Sequence, residues 1–114
     1  MKVAVVGSRN TKVNITKHMP ENIELIISGG ASGIDTLAQD YAKKHNIPTL
    51  IISPNYEKYG KAAPLKRNEE IVNKADVIIA FWDMKSKGTE HVINYAKSQN
   101  KKVILHKVLN LKSK

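Results

Sequence analysis

One stretch limits what this chain can fold into more than any other. An apolar run at residues 25–27 leads into the glycine turn Ser28-Gly29-Gly30. The apolar run has the length and composition of a buried parallel strand. After the turn, apolar residues recur at helical spacing, at Ile34, Leu37, Ala38, Tyr41 and Ala42. The sequence therefore predicts a strand, a tight turn and a helix in direct succession.

This strand–turn–helix unit has the elements of a phosphate site. Glycines let another molecule lie against the backbone. The free N–H groups and the dipole at a helix N-terminus favour an anion. The glycine spacing is not G-x-G-x-x-G, and the turn lacks the lysine of a P-loop. Two interpretations of the turn remain open: a phosphate site, or a tight connection without a ligand.

Strands and helices are predicted to alternate along the whole chain. Strands are expected at residues 2–6, 25–27, 49–53, 76–82 and 102–106. Helices are expected around residues 11–18 with Thr11 as N-cap, after Gly33, from Pro64 and from Thr89. A loop containing Tyr56 and Tyr59 is expected before the third helix. Leu65, Glu69, Val72 and Ala75 fit the period of that third helix. This alternation predicts an α/β fold with a five-stranded parallel sheet and right-handed crossovers.

Ligands of such sheets lie outside the carboxyl ends of the strands. Ser86-Lys87-Gly88-Thr89 resembles a second anion site with Thr89 as N-cap, although an N-cap loop without a ligand has the same pattern. Arg67 is expected in the first turn of its helix, where its charge opposes the dipole and suggests a bound anion. The alternative for Arg67 is an exposed side chain. Trp82, the only tryptophan, either stacks on a base or belongs to the core.

Composition favours an anionic partner. The 114 residues include 19 Lys and Arg against 10 Asp and Glu, a formal charge of +9. The chain has no cysteine, and its histidines lack metal-ligand spacing. It has no signal-peptide pattern and no apolar run near the ~20 residues of a membrane span. We expect a cytoplasmic protein with one domain over residues 1–114, of which 110–114 form a frayed tail.

Four motifs in order resemble one superfamily. They are G-S-R-N after the first strand, S-G-G-A-S-G-I-D after the second, R-N-E-E-I before the fourth and F-W-D-x-x-S-x-G-T after it. Together they resemble the SLOG superfamily, which joins the DNA-processing protein DprA to the LOG-type phosphoribohydrolases. Within it, the chain is most similar to the small, stand-alone, YspA-like branch of mostly uncharacterised bacterial and phage proteins.

The resemblance implies a Rossmann-like three-layer fold and a nucleotide or nucleotide-derived ligand at the glycine edge. It also implies that Gly29, Gly30 and Gly33 line the site, that Arg67 contacts the ligand, and that Gly88-Thr89 holds a phosphate. LOG-type hydrolases carry G-G-x-G-T-x-x-E, and Val92 stands at the position of that Glu. Glu90 is expected to point about 160–200° around the helix from the face of Val92. Without a carboxylate at position 92, Asp83 or Asp35 would have to take the catalytic role of the missing Glu.

We therefore expect a protein that senses or sequesters a nucleotide-type small molecule, such as an ADP-ribose-type compound, without transforming it. A LOG-like hydrolase of nucleoside monophosphates and a DprA-like single-stranded nucleic acid binder are the alternatives. No cofactor, metal or catalytic residue is predicted, and a homodimer is expected. The predicted ligand-binding residues are Gly7, Ser8, Arg9, Ser28, Gly29, Gly30, Ala31, Gly33, Asp35, Pro54, Arg67, Asn68, Trp82, Asp83, Ser86, Lys87, Gly88 and Thr89.

Overall fold

The computed structural model describes residues 1–9, 13–30 and 33–109. Strands and helices alternate along these residues as the sequence predicts. The elements are β1 (Lys2–Gly7), a 3₁₀ turn (Ile15–His18), β2 (Leu25–Ser28), α1 (Ile34–Lys44), β3 (Thr49–Ile51), α2 (Tyr56–Tyr59), a second 3₁₀ turn (Gly60–Ala62), α3 (Ala63–Lys74), β4 (Val77–Trp82), α4 (Lys87–Ser98) and β5 (Lys102–Lys107).

All five strands are parallel, in the order β3-β2-β1-β4-β5. The predicted α/β fold with a five-stranded parallel sheet is therefore confirmed. The chain builds outward from β1 to β3 and then returns to add β4 on the other side of β1. The strand order therefore reverses at β1, which makes the boundary between β1 and β4 the topological switch point of the sheet. An open α/β sheet leaves a crevice at its carboxyl edge at this point.

Helices cover both faces of the sheet, as right-handed crossovers require when the direction of winding reverses. Val3, Val5 and Phe81 face α1 and the first 3₁₀ turn. Ala4, Ile78 and Ala80 face α3 and α4 on the other side. Because both faces are buried, the central strands are continuous apolar runs rather than alternating ones.

Two predictions about the segment between β3 and β4 are wrong. The loop containing Tyr56 and Tyr59 is helical, and α2 begins because Asn55 caps it: Asn55 Oδ1 accepts a hydrogen bond of 3.1 Å from the Lys58 amide. Leu65 is 46% exposed, so it does not belong to the buried face of α3. That face consists of Ala63, Asn68, Ile71 and Val72. The third strand is also shorter than the predicted 49–53.

The first predicted helix is a single 3₁₀ turn. Asn14 caps it by accepting a hydrogen bond of 3.1 Å from the Thr16 amide, whereas the predicted cap, Thr11, lies outside the described residues. The β-branched residues of this segment disfavour a longer α-helix. Residues 110–114, the predicted tail, are also outside the described part of the chain. Within that part, no helix has the length and apolar character needed to cross a membrane.

Candidate functional site

A small pocket opens at the carboxyl edge of the sheet, where β1 and β2 end and α4 begins. Its volume is about 110 Å³. Predicted site residues that line it are Gly7, Arg9, Gly29, Asp35, Arg67, Asn68, Ser86, Gly88 and Thr89. Val6, Ile71 and Val92 complete the wall. The structure thus brings together residues from four separate segments of the sequence.

The start of α4 forms one side of the pocket. Ser86, not the predicted Thr89, is the N-cap: its Oγ accepts a hydrogen bond of 3.4 Å from the Thr89 amide. Thr89 is the third residue of the helix, is buried, and its Oγ1 lies 3.2 Å from Ser86 Oγ. The other first-turn amides of a helix have no partner within the helix. The N-terminal end of α4 therefore offers donors and a favourable dipole to an anion in the pocket.

Three predicted site residues shape the turn before α4 instead of lining the pocket. Asp83 Oδ1 accepts hydrogen bonds from the amides of Lys85 and Ser86, at 2.9 and 2.8 Å. The Trp82 indole donates to the Ser86 carbonyl at 3.0 Å, and Trp82 packs against the core. Ser8 Oγ accepts from the Asp83 amide at 3.1 Å. These contacts fix the position of Ser86 and with it the first turn of α4.

Arg67 links the two glycine turns. Its Nη1 donates to the Gly29 carbonyl at 3.0 Å, and its Nε donates to Asn68 Oδ1 at 2.9 Å. Asn68 Nδ2 in turn donates to the Gly88 carbonyl at 3.5 Å. We call this series, Gly29–Arg67–Asn68–Gly88, the Arg67 bridge. It ties the turn after β2 to the first turn of α4. The two glycines are 59 positions apart in the sequence, and α3 connects them through Arg67 and Asn68.

The predicted location of Arg67 in the first helical turn is wrong. The α3 helix begins at Ala63, so Arg67 is its fifth residue and lies beyond the amides that lack helical partners. The helix dipole therefore does not explain its position. The Gly29 carbonyl and Asn68 Oδ1 hold the guanidinium in place. Its remaining N–H groups, which the bridge does not use, can donate hydrogen bonds to a ligand in the pocket.

The charges around the pocket are mixed. Arg9 is exposed at the rim, Arg67 is half-buried, and Asp35 is buried in the first turn of α1. Gly29 separates the last two groups: a Cβ added there would lie 2.7 Å from Arg67 Nη1 and 3.3 Å from Asp35 Oδ2. A glycine at this position thus lets the guanidinium approach the backbone of the turn.

The floor of the pocket is apolar. Val92 is 2% exposed, Ile71 is 1% exposed, and Val6 is buried at the end of β1. Sequence reasoning missed Val6 and Ile71 as pocket residues. Ile71 follows Arg67 by four positions and therefore lies on the same side of α3, which was the available signal.

The remaining predicted site residues that the structure describes do not line the pocket. Ser28 is buried, and its Oγ accepts a hydrogen bond of 3.3 Å from the exposed Gly30. Gly33 has a φ of 76°, and a side chain there would collide with the Arg9 carbonyl. Lys87 is exposed in the first turn of α4, and Pro54 precedes α2. Ala31 lies outside the described residues.

Away from the pocket, His106 has a shifted pKa. Burial, and to a lesser degree the neighbouring His18, lower the pKa of His106 from its usual 6.5. Its ring lies 4.0 Å from the ring of His18 and 5.3 Å from that of Phe81, centroid to centroid. In the described ranges, no three or more His, Asp and Glu side chains cluster in a way that could hold a metal ion.

The topology and the pocket at its switch point define a Rossmann-like α/β domain with a crevice lined by glycine turns, a helix N-terminus and the side chains of Arg9, Arg67 and Asp35. Residues 1–57 match the family model described as DNA recombination-mediator protein A, and the chain belongs to that family. No curated protein matches the sequence.

Three solved structures share the fold. DprA from Streptococcus pneumoniae is 24% identical with a TM-score of 0.74, covering 91% of this chain and 49% of its own. DprA from Helicobacter pylori is 24% identical with a TM-score of 0.73, covering 92% and 64%. TM1055 is 20% identical with a TM-score of 0.64, covering 90% and 71%. The chain thus spans about half to two thirds of the DprA structures. At 20–24% identity these similarities show a shared fold.

Proposed function

We propose that the chain binds a phosphate-bearing nucleotide or nucleotide derivative, of the ADP-ribose type, in this pocket and does not transform it. The Arg67 bridge is the observation that carries the proposal. It joins two glycine turns around a cavity of about 110 Å³, small enough to suit a single phosphate group. A pocket for an entire nucleotide would be several times larger, at roughly 300 Å³ or more.

The chemistry of the wall suits a phosphate. Amides at the start of α4 donate hydrogen bonds along the favourable direction of the helix dipole. The guanidinium of Arg67 adds charge-assisted hydrogen bonds, for which its planar geometry matches phosphate oxygens. The bridge fixes both sets of donors before a ligand arrives, so little conformational entropy is lost on binding.

The apolar floor supports binding without hydrolysis. Cleavage of an N-glycosidic bond requires a group that activates water or stabilises the oxocarbenium ion. Val92, where LOG-type hydrolases carry Glu, presents only methyl groups to the pocket. Asp83 is already engaged with two amides, which argues against its recruitment as a general base.

Single-stranded nucleic acid is the second candidate ligand, and one comparison favours it. The Helicobacter pylori DprA structure is described by its single-stranded DNA binding mode. The formal charge of +9 and the exposed Arg9 at the rim would suit a phosphate backbone. Both candidates place a phosphate in the same pocket and differ in what extends beyond it.

Several finer assignments belong to the same proposal. We place the chain in the YspA-like branch, with residues 1–114 acting as one nucleotide-binding domain, and we expect a homodimer in the cytoplasm. The branch is supported by the sequence motifs, the single domain by the chain length, the location by composition, and the homodimer by the resemblance to proteins that commonly pair through helices.

Thermal melting followed by chromatography tests the proposal. AMP, ADP-ribose and a random oligonucleotide are each added to the purified chain. Ligand at a hundredfold above Kd is expected to stabilise the fold by about 2.7 kcal/mol, and the small molecule is expected to be recovered unchanged after hours. Release of free base would support the hydrolase instead. Stabilisation by the oligonucleotide alone would support the nucleic acid binder.

A further inference from the structure

A second, larger groove adjoins the phosphate pocket, and Arg67 lines both. The groove has a volume of about 340 Å³ and lies between the end of β3, α2 and α3. We call it the α3 groove. Its polar side chains include Asn55, Tyr59, Lys66, Glu69, Glu70 and Asn73. Arg67 is thus a wall of both cavities, which places the α3 groove directly beside the phosphate pocket.

Several polar groups of the α3 groove are already occupied. Glu69 lies 3.9 Å from Lys66 Nζ and 3.7 Å from His91 Nε2. Asn73 Oδ1 accepts a hydrogen bond of 3.0 Å from the Tyr95 hydroxyl. The Glu70 side chain is different: it is exposed, and its carboxylate forms no hydrogen bond or ion pair with another residue in the described part of the chain. Its carboxylate is therefore an acceptor available to a ligand.

The charge of the α3 groove differs from that of the phosphate pocket. Its charged side chains are two cations, Lys66 and the shared Arg67, and two carboxylates, Glu69 and Glu70, and Lys66 and Glu69 pair with each other. The groove therefore has no net positive charge to attract a run of further phosphates, as a continuing nucleic acid backbone would require. Carboxylates instead accept hydrogen bonds from hydroxyl and amino groups. The two cavities together suit a molecule with one compact anion and a neutral part rich in hydroxyl groups.

We propose that the α3 groove holds the ribose of a 5′-ribonucleotide and that Glu70 accepts a hydrogen bond from its 2′-hydroxyl. This inference rests on the proposed function, since it requires the phosphate in the neighbouring pocket. Glu70 then becomes a residue that determines specificity, because the 2′-hydroxyl is the group that separates ribonucleotides from deoxyribonucleotides.

Calorimetric titration of the full chain with AMP, 2′-deoxy-AMP and inorganic phosphate tests this role. Loss of one hydrogen bond to a charged acceptor is expected to make 2′-deoxy-AMP bind roughly tenfold more weakly than AMP. Glu70→Ala should bring the two nucleotides to equal affinity while leaving the affinity for inorganic phosphate intact. The matched control is Glu21→Ala, which removes the same charge from an exposed site before β2, at the opposite edge of the sheet.

The outcomes separate the two proposals. If wild-type protein binds inorganic phosphate and both nucleotides, but AMP and 2′-deoxy-AMP equally well, the role of the α3 groove is refuted and the phosphate pocket stands. If Glu70→Ala retains the tenfold preference, the groove inference is likewise refuted. If none of the three compounds binds, both proposals fail.

Discussion

Replacing Gly88 with alanine tests whether glycine at this position is required by the fold or by a bound ligand. Gly88 is the second residue of α4 and lines the phosphate pocket. A Cβ added there would meet no atom within 4 Å, and its φ lies outside the left-handed region. The fold therefore gives no steric reason for glycine. Alanine is favoured over glycine in helices by up to about 1 kcal/mol, so Gly88→Ala is expected to stabilise the free protein.

The same change is expected to weaken nucleotide binding. The added methyl group would occupy space through which a phosphate approaches the amides at the start of α4. Losing one charge-assisted hydrogen bond costs about 1.5–3 kcal/mol, which corresponds to roughly 10- to 150-fold in affinity. The variant should thus be more stable and bind less tightly, a combination that a purely structural glycine would not produce.

Thermal melting and calorimetric titration with AMP measure the two effects. A gain of up to about 1 kcal/mol raises the Tm of a domain this size by up to roughly 4 °C. Asn94→Ala is the matched control, because Asn94 is exposed on the same helix away from the pocket. It should raise the Tm without changing affinity. Wild-type affinity in Gly88→Ala would refute the claim that the ligand approaches this turn.

Other changes test separate parts of the account. Arg67→Ala should weaken AMP binding by about 1.5–3 kcal/mol in calorimetry, and unchanged affinity would move the ligand away from the Arg67 bridge. Binding of a small molecule with one or two phosphates should depend only shallowly on salt, whereas a steep slope, near −0.7 for each phosphate contacted on a single strand, would favour nucleic acid. Because the pKa of His106 is lowered on folding, the unfolded chain binds the proton more readily. The contribution of His106 to the free energy of unfolding should therefore be highest above about pH 6.5, the pKa of the unfolded chain, and should decrease as the pH falls through the lowered pKa of the folded protein. His106→Phe should flatten this pH dependence in urea titrations. An unchanged dependence would contradict the assignment to His106.

The strands and the helix after the glycine turn could be predicted from sequence. Parallel strands buried on both faces are continuous apolar runs, and residues 2–6 and 76–82 stand out for that reason. The periodic positions of α1 also identify its buried side, on which Ile34, Ala38 and Ala42 lie. Here local pattern and tertiary burial agree, so the sequence is sufficient.

The errors lie where short-range signals compete. Ser86 and Thr89 both have hydroxyl groups suited to an N-cap. Ser86 is selected because Asp83 and Trp82 hold its backbone, which only the folded turn reveals. The α2 helix has a single turn, too short for any periodicity, and only Asn55 signals its start.

The Arg67 bridge depends on contacts between distant segments. Arg67 and the Gly29 carbonyl are 38 residues apart. A sequence shows that an arginine and a glycine turn exist, and the topology shows that they share an edge of the sheet. Which carbonyl the guanidinium reaches depends on where α3 packs, and no local pattern specifies that.

Titration of ¹⁵N-labelled protein with AMP, followed by amide chemical shifts, tests the central claim most directly. A phosphate held between the two glycine turns should shift the amides of Gly29, Gly88 and Thr89 most strongly, together with the Arg67 side-chain Nε–H. Residues at the opposite edge, such as Asn100, should not move. Shifts spread over exposed lysines, or concentrated away from the carboxyl edge, would contradict the assignment of the pocket.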